Sequence, residues 1–103
     1  MIEISPKEYE IHTGWNDARM YCFALNIGGK TGWRLPTIDE LDGIYMCVNN
    51  FAPVWYWASD SGDTGVWFKA FSTGWKDQIV IDSDWHTRVG ICAVRPVRDL
   101  KDD

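Results

Sequence analysis

The chain has 103 residues, fifteen of them acidic and ten basic, for a net charge of −5. That is the length of one domain, and the charge excludes a phosphate backbone as a general partner, because no basic cluster offsets the repulsion. Seven tryptophans, four tyrosines and four phenylalanines let few side chains fill a modest core and leave aromatic surface for recognition of a protein or a sugar.

Ile2, Ile4, Tyr9 and Ile11 alternate with polar residues. This is the period of a first strand, interrupted near Pro6, which has no ladder donor. The opening Met1-Ile2-Glu3-Ile4 has neither the basic start nor the apolar run of a secretory leader, and no stretch suits a transmembrane helix. A chain made in a cytoplasm and without a membrane partner is expected. Thr13 is placed to cap a helix. Trp15, Ala18, Cys22 and Leu25 then fall on one helical face, so the first helix is expected from Trp15 to Ile27. It should stop at Gly28-Gly29, where glycine takes left-handed angles at little cost.

Trp33-Arg34-Leu35-Pro36 reads as a short extended link, since a residue preceding proline is pushed away from helix. Thr37 with Glu40 is a capping box. Leu41, Ile44, Tyr45 and Val48 follow as the stripe of a second helix, Ile38 to about Asn49. Beyond Asn49 the helical period vanishes. Trp55 to Ser59 reads as a strand, and Asp60 to Gly65 as turn chemistry. Val66 to Phe71 is a strand with Val66, Phe68 and Ala70 on one face and Trp67, Lys69 and Phe71 on the other. Gln78 to Ile81 and Val89 to Val97 complete the strands, with Pro96 at the last exit. The order predicts an α+β domain over residues 1–98, with helices on an antiparallel sheet, and an acidic tail over 99–103.

Several fragments occur in a characteristic order: Trp15-Asn16-Asp17-Ala18 with Tyr21-Cys22 and Leu25; Gly32-Trp33-Arg34-Leu35-Pro36-Thr37 with Glu40-Leu41; Tyr56-Trp57-Ala58-Ser59; Val66-Trp67 with Phe71 and Gly74; and Ala93-Val94-Arg95-Pro96-Val97-Arg98. Together, over about Ile11 to Arg98, they resemble the Lcl C-terminal domain family, a module of bacterial surface and phage proteins related to the C-type-lectin-like and formylglycine-generating-enzyme-like fold. The resemblance implies a C-type-lectin-like architecture. Two helices would pack on a small twisted antiparallel sheet joining the first and last strands, with long loops carrying variable surface. Trp33 and Leu35 would lock the link between the helices, beside the Thr37 and Glu40 cap. Arg34 and Arg95 would be structural, bonded to carbonyls or paired with a carboxylate such as Asp39 or Glu40. Many relatives carry a cysteine where this chain has Pro96. Cys22, Cys47 and Cys92 match no metal or redox spacing and read as small buried hydrophobes. A shifted Cys22–Cys92 bridge is the alternative, with reduced thiols preferred in a chain without an export signal.

Catalytic and metal chemistry is hardly visible. Neither loop tripeptide of calcium-dependent lectins occurs, and Trp15-Asn16-Asp17 opens a helix. Asp60/Asp63 and Asp82/Asp84 could offer oxygens to calcium, but such pairs are usual turn formers. His12 and His86 are accompanied by no nucleophile elbow, so no enzyme, metal or cofactor is expected. A formylglycine-generating type of enzyme, working through Cys47 or Cys92, is the distant catalytic alternative. The segment from Ser72 to Arg88 contains Trp75, Lys76, Asp77, Asp82, Asp84, Trp85, His86 and Arg88. Aromatics among charges of both signs suit a protein or glycan contact; alternatively Trp75 and Trp85 cover the sheet. The expectation is a non-catalytic module of a phage virion surface, such as a capsid decoration or cement protein or part of a tail or fibre. It would bind virion subunits or a host receptor, in the virion or, if not from a phage, in the cytoplasm, with homo-oligomerisation open. A soluble lectin-like domain binding a glycan, with or without calcium, is the second expectation.

Overall fold

Two prolines divide what the apolar pattern presents as single strands. The computed structural model describes residues 2–47, 51–62, 65–79 and 92–100. Strand β1 (Ile2–Ile4) is separated from β2 (Ile11–Thr13) by Pro6 and a 3-10 turn over Lys7–Tyr9. At the other end of the chain, β7 (Cys92–Val94) is separated from β8 (Val97–Asp99) by Arg95-Pro96. The two breaks face each other, the Ser5 N–H donating to the Pro96 carbonyl at 2.9 Å. As a result β1 pairs with β8 in one sheet and β2 pairs with β7 in another, both antiparallel. The last strand expected over Val89 to Val97 is therefore two strands, because Pro96 has no N–H to continue a ladder. Val89 to Ile91 lie outside the described residues.

The smaller sheet has the order β1-β8-β3, with β3 (Trp33–Arg34) antiparallel to β8. The larger has the order β2-β7-β4-β5-β6, with β4 (Trp55–Gly62), β5 (Gly65–Ala70) and β6 (Lys76–Ile79). The antiparallel sheet expected from the element order needs one correction. Strands β4 and β7 run parallel, through Tyr56 opposite Ala93. A parallel neighbour requires a long return path, and β5, β6 and the chain following them form it. Strand β6 begins at Lys76, two residues before the expected Gln78, because Lys76 pairs with Lys69 of β5.

Helix α1 covers Trp15–Ala24 and starts behind Gly14, with no side-chain cap. Thr13, the expected cap, belongs to β2 opposite Cys92. The helix also ends early, with Leu25 already extended. Gly28 and Gly29 do not close it. Their φ angles of 59° and 89° make a two-residue turn between Ile27 and Lys30, which exchange both backbone bonds at 3.0 Å. A tight turn of that hand requires positive φ at both central positions, which glycine adopts without strain.

Helix α2 covers Ile38–Cys47. Its start is the expected capping box: Glu40 N–H donates to Thr37 Oγ1 at 3.1 Å, and Thr37 N–H donates to Glu40 Oε1 at 2.8 Å. A further orphan donor, Ile38 N–H, is met from β4 by Asp60 Oδ1 at 2.7 Å. Leu41 and Ile44 are buried and Tyr45 is half-buried; Val48 lies outside the described residues. Gly43 sits in the helix interior, and a Cβ built there meets nothing within 4 Å. Gly43→Ala is expected to raise stability by about 0.5–1 kcal/mol by removing backbone entropy from the unfolded chain. Urea denaturation should show a higher midpoint at an unchanged slope.

The larger sheet is covered on both faces. Trp57, Phe68, Val66 and Val94 point to the core shared with Ala18 and Cys22 of α1 and with Trp33 and Leu35. Tyr56, Ala58 and Ala93 point to the opposite core, shared with Ile38 and Leu41 of α2. A central strand buried on both sides loses the polar half of its alternation, as Trp55-Tyr56-Trp57-Ala58 does. Cys22 and Cys92 are buried free thiols and Cys47 an exposed one, so the shifted bridge is not formed. Burial pushes both inner thiols up to about 12. The result is a small α+β domain of two helices and two sheets, in which no helix of the described residues is long and apolar enough to cross a membrane.

Candidate functional site

Arg34 ties three parts of the chain together. Its Nη1 and Nη2 donate to the two oxygens of Glu40 at 2.8 and 2.9 Å. Nη2 also reaches Asp99 Oδ1 at 2.7 Å, and Nη1 the Leu35 carbonyl at 3.1 Å. The planar fork suits this geometry as an ammonium would not. Asp99, assigned to a solvated tail by composition, is thus the last residue of β8 and holds the helix link from outside. The Arg34 hydrogen bond is the main reason that the Glu40 carboxyl lies below its ordinary value of 4.5 and Asp99 below 3.8.

Both folded-state values are depressed, so the folded state binds these protons less readily than the unfolded chain. The stabilisation is present above the unfolded values and is lost as pH falls through the folded ones. Thermal melts should be nearly flat from about pH 7 to pH 5 and decline below about pH 4.5. Arg34→Gln should lower the neutral plateau and reduce that acid slope.

Arg95 is buried. Its Nε donates to the Ser5 carbonyl at 2.8 Å, its Nη1 lies 3.5 Å from Glu10 Oε1, and its guanidinium stands 4.6 Å over the Phe51 ring. Tyr56 Oη donates to Glu10 at 2.8 Å and accepts from Ala52 N–H at 2.9 Å. Arg34 and Arg95 are thus each bonded to a backbone carbonyl and paired with a carboxylate. Trp33 is buried, its Nε1 donating to the Lys30 carbonyl at 3.0 Å, and Leu35 is buried behind it.

Of the segment singled out as a contact surface, Trp75 and Lys76 are among the described residues. Asp82, Asp84, Trp85, His86 and Arg88 lie outside them, as does Asp63. Trp75 is 50% exposed and stands edge-on to Phe68 and Trp55, at 5.4 and 5.8 Å. Lys76 Nζ lies 2.7 Å from Asp42 Oδ2, while buried Lys69 takes the other oxygen at 2.8 Å. The charge of Lys76 is therefore answered by α2. Asp60, a candidate calcium ligand, commits one oxygen to the α2 cap. Among the described residues no three His, Cys, Asp or Glu side chains group as metal ligands.

A different surface was not singled out from the sequence. Helix α1 buries Ala18 and Cys22 but turns Met20 and Phe23 outward, 71% and 88% exposed. Together with Asn16, Arg19, Trp33, Arg34, Leu35 and Ser59 they line a groove of about 690 Å³. The guanidinium of Arg19 lies 4.8 Å over the Trp15 ring. The signal was present as a second stripe, Asn16, Met20 and Phe23 at i, i+4 and i+7. It was obscured because Trp15, Ala18, Cys22 and Leu25 already account for a buried face, and one such face is all a surface helix needs. Neither the protein-family models nor the curated proteins give a match to this chain.

Proposed function

We propose that this domain is a non-catalytic binding module that acts through contacts with other proteins, and that the groove beside α1 is its principal contact. The observation that carries this reading is the exposure of Phe23 and Met20 over an apolar-lined depression. Solvated apolar side chains of that size, grouped and rimmed by polar ones, are the usual mark of a contact surface. The C-type-lectin-like reading of the fold is supported by the pairing of the first strand with the last and by the Trp33-to-Glu40 link between two helices. A place on a phage virion surface, as a capsid decoration, cement, tail or fibre component, rests on the family resemblance and is analogy at the level of fold.

Mass spectrometry of purified particles tests this reading. The chain should co-purify at stoichiometric level, and Phe23→Ser with Met20→Ser should abolish incorporation while leaving the circular dichroism unchanged. Absence from particles would remove the virion assignment, and full incorporation of the doubly substituted chain would remove the groove as the contact. Glycan binding is the second reading, favoured by half-exposed Trp75 beside Trp55, since an open aromatic face suits a sugar ring. Binding on a glycan array that survives Phe23→Ser and is lost in Trp75→Ala would select it, and a chelator would show whether calcium takes part.

A further inference from the structure

We infer that the groove beside α1 receives a segment of another protein that carries a bulky apolar side chain next to a carboxylate, with the carboxylate seated on Arg19. The inference rests on the protein-contact reading above and adds the chemistry of the partner. The apolar half of the argument is the exposed pair Met20 and Phe23, which line the same depression as the buried Leu35 and Trp33. An aliphatic or aromatic anchor entering there covers surface that is otherwise solvated.

The polar half is the sign of the lining. The chain has fifteen acidic residues against ten basic ones, yet the two charged side chains that line the groove are both arginines. Arg34 is already answered by Glu40 and Asp99. Arg19 is not: among the described residues no carboxylate pairs with it, and its guanidinium is stacked on Trp15 at 4.8 Å. Arg19 is exposed, so its N–H donors are accessible from solvent, and a guanidinium can bind a carboxylate bidentately while one face lies over a ring. The net charge of −5 does not prevent this, because at physiological ionic strength charges beyond about 8 Å are largely screened and Arg19 dominates locally.

The test is selection of a displayed library of random twelve-residue peptides on the intact chain, followed by titration of the synthetic winners. Enriched peptides should combine Phe, Trp, Leu or Met with adjacent Asp or Glu. Their affinity should fall about thirtyfold or more on Phe23→Ser, as expected for a central anchor. It should fall about fivefold on Arg19→Gln, less on Arg19→Lys, and the Arg19 effect should shrink at high salt. Both positions are exposed, and near-ultraviolet circular dichroism confirms that each variant is folded. Peptides that require Phe23 but are indifferent to Arg19, or that lack acidic residues, would overturn the inference and leave the protein-contact reading standing. Winners indifferent to Phe23, or no enrichment over an unrelated protein, would remove the groove and with it both statements. A concentration-dependent dimer in sedimentation velocity, lost in Phe23→Ser, would show that a second copy covers the groove and would likewise overturn the acidic partner.

Discussion

A Trp57→Ala variant is expected to lose about 3–5 kcal/mol of stability, the range for truncating a large buried ring. Trp57 is fully buried in β4, opposite Phe68 of β5, and packs in the core shared with α1. Its Nε1–H donates to the Thr13 carbonyl at 2.7 Å, so the ring also ties β4 to the end of β2. Removing it opens a cavity in the core shared with α1 and takes the indole donor from the part-buried Thr13 carbonyl. Domains of this size have only about 5–15 kcal/mol in total, so much of the stability depends on one side chain. Trp57→Phe keeps most of the volume and should cost about 1–3 kcal/mol, largely from the lost hydrogen bond and the residual void. Urea denaturation followed by near-ultraviolet circular dichroism reads both. A loss below about 1 kcal/mol for the alanine variant would show that the ring is not a central packing element.

Replacing Arg95 with alanine should be comparably costly, about 3–5 kcal/mol, because it leaves the Glu10 carboxylate without its guanidinium in addition to a void. Glu10 is nearly buried, and its remaining partners would be Tyr56 and the largely exposed Lys7. The Ser5 carbonyl would lose its donor as well, at the point where the chain crosses between sheets. Arg95→Met combined with Glu10→Gln removes both charges while keeping approximate volume, and should recover a substantial part of the loss. A double-mutant cycle should therefore give a coupling of about 1–3 kcal/mol. If the two single losses simply add, the guanidinium and the carboxylate are not energetically linked. The network has a clear structural consequence: it holds Ser5, Glu10, Ala52 and Tyr56 around one arginine. Three sequence-distant segments thereby meet at the Arg95–Glu10 ion pair.

Much of the helical structure was legible because its determinants are local. The Thr37–Glu40 box and the Leu41, Ile44, Tyr45 stripe lie within one helix, and the structure has them as read. The Trp15, Ala18, Cys22 face was equally legible, although the start and end of α1 were not. Thr13 was preferred as a cap on its chemistry, but its backbone is drawn into β2, and the pairing with Cys92 outweighs one side-chain hydrogen bond. The exposure of single side chains in the stretch from Ser72 was harder to read. Trp75 is half-exposed, whereas Lys76 is held by Asp42, a partner supplied from thirty-four positions away. The groove was not legible because the pair Met20 and Phe23 lies beside a complete buried face and is indistinguishable from scattered surface residues until the neighbouring Trp33-Arg34-Leu35 link is placed.

The amino-acid order by itself determined that this chain is an α+β domain with two short helices, a polar box starting the second, and an aromatic strand centre at Trp55 to Ala58. Each of these is set by residues within a few positions of one another, through side-chain period and terminal hydrogen bonds. The interruption near Pro6 was legible from the missing ladder donor, but only the tertiary structure decided that the halves of the first and last strands pair in two different sheets, that β7 lies parallel to β4, and that Asp60 caps α2. It also decided that Gly28-Gly29 turns a strand-like hairpin rather than ending a helix. The physical reason for the first three is that which donor meets which acceptor across the fold depends on segments tens of residues apart, and neither hydrophobic periodicity nor local capping chemistry encodes that choice; the Gly28-Gly29 turn is local, and there positive φ serves a hairpin as well as a helix end.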